Sequence, residues 1–436
     1  MRMKYKLNII LTALGIFLVF IFFQTTLDAQ IISGKMIEYE NTPLVLPPFI
    51  SLVEKLEEKE DLLRDLHLEA SSKSLEFYED RVADNGGKVS VIRKKSTEQN
   101  KDIGLKIMNK DTGEVRIIKI SLKVQKDGIK IISPSGYQIE ITERSNGIRW
   151  NRWNTHYDIV SPQGWLVLKN KYPDIDEETR KVTVKDKRGK TKIVNKKVYV
   201  VKEFIYSPYS GELHTPELVE AGREYLKAVA KEALADLKDK GVYSKALPDT
   251  LVAELSMLPP VFFERLPILE HTDMTEFVED SQKSIERVLV LIGANKSVAF
   301  SKTGSKAGAL GWVQYTSKTY NSIRKAYPAA KLMPDFVTAA SDHKNSMKAA
   351  ILLYDYNLAG LIKKQGQGII KSPRLEEYLA ASYNGSPSRV FGSLKASITY
   401  KLEDWINSLS SKKGGLADET KGYMVKIRYL QEKGLP

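Results

Sequence analysis

At 436 residues, with 42% hydrophobic side chains, the chain is too long for one ordinary core and apolar enough to build two or three. The absence of cysteine excludes disulfide-stapled scaffolds, thiol nucleophiles and lipoprotein anchoring through an acylated cysteine. A formal charge of +13 leaves two readings open, a polyanionic partner or a solvated lysine-rich surface.

Arg2, Lys4 and Lys6 precede an uncharged run from Leu7 to Phe23, and Leu27-Asp28-Ala29 offers a small-residue cleavage site before Gln30. The pattern predicts export to the periplasm or cell envelope, with residues 1–29 as a signal peptide or an N-terminal anchor in the inner membrane. The length of the apolar run allows either. For an exported chain the expected polyanions are cell-wall groups or lipid headgroups, and no nucleic acid.

Residues 30–85 read as a tether and a helix: Pro43, Pro47 and Pro48 punctuate the first part, and apolar residues at helical spacing run through Leu52 to Asp80. Residues 86–210 change to short alternating β-branched runs, Val89–Ile92, Val115–Leu122, Ile129–Ile132 and Lys197–Val201, which predict a β-rich accessory domain. Asn109–Gly113 and Lys185–Gly189 are candidate hairpin turns. Trp150, Trp153 and Trp165, with Arg149, Arg152 and His156, suit either a sugar-stacking platform or the core of a small β domain. This domain is also the candidate surface for an envelope protein partner.

Thr215 as N-cap, Pro216 at the first helical position and Gly241 beyond the last turn frame a helix over about Pro216 to Lys240. From there the pattern is almost wholly helical, which makes residues 211–436 a helical domain and the whole chain α+β. A short polar loop over Asn407–Gly415 precedes the last helix.

Four pieces of this helical part carry candidate chemistry. Leu258 to Glu270 is an apolar stretch with a prolyl start and a glutamate at its end. Ile268 and Leu269, with Phe262 and Phe263, offer apolar walls that disfavour the ionised carboxylate and raise its pKa, so that Glu270 can donate a proton near neutral pH. In Ser305-Lys-Ala-Gly-Ala-Leu-Gly-Trp-Val-Gln314, the small residues Gly308, Ala309 and Gly311 permit close backbone approach, and Gln314 offers a donor and an acceptor. Asp342 to Tyr354 reads as a polar turn followed by an Ala- and Leu-rich helix. Leu379 to Val390 contains Tyr383 and Asn384.

In this order the four pieces resemble the soluble-type lytic transglycosylases, lysozyme-like enzymes that cut peptidoglycan glycan strands. The resemblance covers about residues 250–400 and implies a lysozyme-like helical domain. It implies that Glu270 is the sole catalytic acid and base, and that Ser305, Gly308, Ala309, Gln314, Tyr383 and Asn384 bind substrate. The implied reaction cleaves the MurNAc-GlcNAc bond without water and closes a 1,6-anhydro ring, with no cofactor and no metal.

Two features depart from the family pattern. Glu270 precedes Gly308 by thirty-eight residues, and the shorter family spacing would put Lys296 at the catalytic position; an insertion after Glu270 is the preferred reading. Asn384-Gly385-Ser386 stands where the family has Asn-Ala-Gly. A two-carboxylate muramidase remains open, with Asp273, Glu276 or Asp280 as second acid, as does a non-catalytic peptidoglycan-binding or scaffold protein. The five histidines, at 67, 156, 214, 271 and 343, show no zinc-protease spacing, and no Gly-x-Ser-x-Gly elbow is present.

Overall fold

The computed structural model describes residues 46–84, 89–125, 128–142, 153–185, 191–305 and 307–436. The expected targeting segment, Pro43, the second hairpin turn and the Arg149, Trp150 and Arg152 part of the tryptophan cluster lie outside them. Among the described residues no helix is long and apolar enough to cross a membrane.

The helix expected from Leu52 to Asp80 is instead two short helices and the start of a strand. Helix α1 (Leu52–Glu57) is N-capped by Ser51, and Lys59, in the left-handed region at φ 55°, separates it from α2 (Glu60–Asp65). A left-handed residue cannot continue a right-handed helix, so the periodicity is broken there. Strand β1 (Ala70–Asp84) then pairs along β2 (Val89–Asn109), and this long-range pairing overrides the helical reading of residues 70–80.

The β-rich middle follows as β3 (Val115–Gln125), β4 (Gly128–Ile132), β5 (Gln138–Thr142), β6 (His156–Ser161), β7 (Trp165–Lys185) and β8 (Thr191–Tyr206). Of the eight strands β1 to β8, six form one antiparallel sheet in the order β4-β3-β2-β7-β8, with β1 also on β2; β5 and β6 form a separate pair. The turn from β2 to β3 is the predicted one: Asn109 Oδ1 accepts from the backbone of Asp111 and Thr112, and Gly113 sits at φ 70°.

Facing lysines tie the sheet to the two short helices. Lys106 and Lys169 are register partners on β2 and β7. Lys106 is fully buried, donates to Leu56 O at 2.7 Å, and is pushed down to about 8 by burial. Lys171 donates to Arg64 O at 2.5 Å and Leu66 O at 2.7 Å. These ammonium groups satisfy carbonyls left open where the helices end.

Trp153 packs edge-on against Tyr206 at 4.6 Å between centroids, and Trp165 is buried under Arg116 and Tyr137. Both described tryptophans of the cluster are therefore core or shielded residues.

The helical part is built from α3 (Pro216–Asp239), α4 (Pro260–His271), α5 (Met274–Glu279), α6 (Ser281–Asn295), a two-residue ladder of β9 (Ala309–Leu310) and β10 (Tyr315–Thr316), α7 (Ser317–Ala326), α8 (Phe336–Ser341), α9 (His343–Gln365), α10 (Leu375–Asn384), α11 (Pro387–Tyr400) and α12 (Asp418–Glu432). Helix α3 begins as the sequence predicts, with Thr215 capping Leu218 N–H and Pro216 at its start. It crosses α6 so closely that a Cβ on Gly222 would stand 2.1 Å from Leu289 O.

One continuous core joins the sheet residues Met108, Leu166, Leu168 and Tyr206 to the helices, and a smaller one around Ile103, Ile107 and Tyr157 joins the sheet to the β5–β6 pair. Packing thus runs across the expected boundary at residues 210 and 211.

Candidate active site

The position of Glu270 follows from how α4 starts and stops. Pro259 and Pro260 open the helix, and Phe263, Leu266, Ile268 and Leu269 bury its apolar face. The chain turns out at Thr272, and Asp273 caps α5 by accepting from Thr275 and Glu276 N–H at 2.8 and 3.1 Å. Glu270 therefore stands in the last turn of α4.

A buried ionic network docks α4 against two other helices. Arg265 on α4 donates to both oxygens of Glu376 on α10, at 2.8 and 2.6 Å, and to Leu435 O at 2.8 Å. Gln431 of α12 donates to Glu376 at 2.7 Å, and Arg428 of α12 donates to the neighbouring Glu377 at 2.9 Å. Buried charges persist only when paired and hydrogen-bonded in this way.

This docking brings α12 alongside Glu270. The Tyr423 hydroxyl donates to Glu270 Oε1 at 2.9 Å. One turn on, Lys426 donates to Leu269 O at 2.5 Å and Thr272 O at 3.0 Å, the carbonyls on either side of Glu270. A cavity of about 420 Å³ opens here, walled by the end of α4, the start of α5, Asn384 at the end of α10, and the Asp418 to Lys426 face of α12. Its rim is acidic, with Glu270, Asp273, Asp418 and Glu419 against the single cation Lys426, which is opposite in sign to the chain as a whole.

The carboxyl of Glu270 is pushed up to about 7. Burial is the main cause; the Tyr423 hydrogen bond and the Lys426 charge pull it back down, and the Glu419 charge adds to the rise. A glutamate in this range can both give and take a proton near neutral pH. Beside it His271 stacks on Phe300 at 3.8 Å, and burial drives its imidazole down to about 3, so it is neutral here. Asn384 carries a buried side-chain oxygen with no hydrogen-bond partner, on the cavity wall. An acceptor left unsatisfied in this way is a buried polar group that the fold does not itself pair.

The remaining residues singled out from sequence divide. Tyr383 lies close enough for the Glu270 charge to raise its own pKa, but its hydroxyl is committed to Val313 O at 2.5 Å and its ring packs on Tyr354. Gln314, at φ 47°, donates to Thr303 O and Gly311 O and so holds the β9–β10 turn together. Gly311 is needed there: a Cβ would meet Ala340 O at 2.1 Å, and its φ is +77°. Ser305 and Gly308 are exposed and Ala309 is buried on this turn, and none of Ser305, Gly308, Ala309, Gln314 or Tyr383 is among the cavity-lining residues.

Lys296 points elsewhere. It is ion-paired with Glu57 of α1 in a separate cavity of about 660 Å³ between the two short helices, the sheet and the end of α6. Of the three carboxylates considered as a second acid, Glu276 is paired with Arg287 and Asp280 caps α6. Asp273 alone borders the Glu270 cavity, with one oxygen held in its capping role.

No known protein family, curated protein or solved structure matches this chain.

Tyr423, Lys426 and Glu419 were not reached from sequence. Their spacing of four and three residues puts them on one helical face, which was the available signal, but nothing local says what that face meets. A possible metal-holding group is likewise invisible in sequence: His156, Asp158 and Glu212 bring ligand atoms within 4.8 Å of one another, with His156 Nε2 2.8 Å from Asp158. It lies outside the Glu270 cavity, and Lys110 approaches Glu212 at 3.6 Å.

Proposed function

We propose that this protein is a cell-envelope glycosidase of the lytic transglycosylase kind, cutting the MurNAc-GlcNAc β-1,4 bond of peptidoglycan with Glu270 as its one acid and base, on a helical part of lysozyme-like fold. The observation that carries this reading is the carboxyl of Glu270, held by Tyr423 in a cavity wall and ionising near neutrality. In this mechanism Glu270 protonates the glycosidic oxygen as the bond to the muramic carbon breaks. The carboxylate then takes the proton of the muramic C6 hydroxyl, whose oxygen attacks the anomeric carbon and closes the anhydro ring.

A single acid suits this chemistry, since one carboxyl alternates between roles. Hydrolysis with inversion calls for a second carboxylate free to activate water, and Asp273 has one oxygen committed to the α5 cap. Mass analysis of fragments released from purified peptidoglycan tests the reading: anhydro-muramyl ends support it, and reducing ends favour a muramidase. Export to the envelope, by a cleaved or retained N-terminal segment, and contact with an envelope partner through the β-rich part belong to the same proposal.

A second reading draws on the Gly308 to Gln314 turn, whose polar groups bond within the turn instead of facing the cavity. A protein that grips peptidoglycan without cutting it would release no fragments and would still pellet with the wall.

A further inference from the structure

We propose that Lys426 is the positioning residue of the Glu270 site, gripping the two carbonyls that bracket the carboxyl and standing as the one cation in the cavity wall. This deepens the reading above, because it concerns how the same carboxyl is held and regulated.

The geometry sets two tasks for one side chain. Lys426 is 8% exposed, and its ammonium donates to Leu269 O at 2.5 Å and Thr272 O at 3.0 Å. Leu269 O belongs to the last turn of α4 and Thr272 is its C-cap, so neither carbonyl has a further intrahelical donor. A cation there also complements the negative end of the helix dipole. Glu270 lies between the two gripped residues, so the grip fixes the backbone from which its carboxyl projects.

The second task follows from where the ammonium does not go. No ion pair within 4.0 Å joins Lys426 to Glu270 or any other cation to Glu270 among the described residues. A direct pair would hold the carboxylate ionised and remove its capacity to give a proton. With two of its three ammonium hydrogens committed to carbonyls, Lys426 acts on the ionisation of Glu270 through its charge, while Tyr423 supplies the direct hydrogen bond.

The other groups facing the carboxyl are known from each packed element. From α12 come Asp418, Glu419 and Tyr423, and from the α4 to α5 turn come the neutral His271 and Asp273. From α10 come Tyr383 and Asn384, and from α9 Tyr354. All are neutral or anionic, so each charge among them opposes ionisation of Glu270, and Lys426 is the counterweight. Burial lowers the Lys426 ammonium below the usual lysine range, and the carboxylates of Glu270, Asp273 and Glu419 oppose that fall.

The test follows the Glu270 carboxyl directly, without requiring turnover. Infrared difference spectra of the full-length protein are titrated from acid to alkaline pH, with Glu270→Gln identifying the carboxyl band. Three variants are compared with wild type: Lys426→Arg keeps charge and donors, Lys426→Gln keeps a donor without charge, and Lys426→Met keeps neither. The Glu270 midpoint is expected to stay near that of wild type in Lys426→Arg and to rise by about one pH unit in Lys426→Gln and Lys426→Met.

An unchanged midpoint in Lys426→Gln overturns the proposal, because the charge then does nothing for the carboxyl. If Lys426→Met does not fold, Lys426→Gln still decides. A shifted midpoint in a protein that releases nothing from peptidoglycan upholds the role of Lys426 and removes the enzymatic reading, so the two failures are distinguishable.

Discussion

The Tyr423 hydroxyl meets Glu270 Oε1 at 2.9 Å across 153 positions of sequence. Tyr423→Phe keeps the ring and deletes this donor, which leaves the carboxyl buried with one fewer partner. The ionised form loses support, so the Glu270 midpoint moves up and the alkaline limb of a pH-rate profile moves with it. A roughly tenfold loss of rate at neutral pH is expected from poorer orientation of the acid. A pH-rate series on wild type and Tyr423→Phe checks both parts.

Glu270 is also expected to lower stability. Its folded-state pKa is raised above the ordinary glutamate value to about 7, so the folded protein holds the proton more tightly than the unfolded chain. Stability from this group is complete below pH 4.5, falls as pH rises toward 7, and stays reduced above. Glu270→Gln, neutral at every pH, should match wild type at pH 4 and exceed it by about 1–3 kcal/mol at pH 8. Urea unfolding at the two pH values measures the difference.

Two histidines held in desolvated surroundings give the opposite slope. Burial depresses His271 to about 3 and His343 to about 4, from an ordinary 6.5. The unfolded chain binds their protons first, so their contribution is complete above pH 6.5 and is lost as pH falls toward 4 and then 3. Thermal melts should show His343→Gln flattening the decline between pH 6.5 and 4 relative to wild type.

The Arg265–Glu376 pair is the joint that lets α12 reach α4. Both side chains are less than a tenth exposed, so removing one partner strands a buried charge. Glu376→Ala is expected to destabilise by about 3–5 kcal/mol. A smaller loss, measured by chemical denaturation, would mean that water reaches Arg265 once its partner is gone.

Much of the helical part was legible from local chemistry. The Thr215 cap with Pro216, the prolyl start of α4 and the polar turn that opens α9 at Asp342 each state a helix start in residues that are neighbours in sequence. The Asn109 to Gly113 turn was legible for the same reason. The apolar spacing of Leu52 to Leu66 falls on α1 and α2, but it carries no warning of the break at Lys59 or of the pairing of residues 70–84 with β2.

The site shows the same division. Glu270 and Asn384, singled out through the family resemblance, both line the cavity. The turn from Ser305 to Gln314 looked like a ligand surface because its small residues permit close approach; what approaches Gly311 is the backbone of Ala340. Tyr423 and Lys426 depend on the docking of α12 through Arg265 and Glu376, a contact between distant segments that no local pattern encodes.

The most direct test of Glu270 as acid and base is mass spectrometry of muropeptides released from purified peptidoglycan by wild-type protein and by Glu270→Gln. Anhydro-muropeptides from wild type and none from the folded variant are the predicted result. Equal release by both would contradict the role of Glu270, and no release by either, with the protein retained on the wall, would contradict the enzyme.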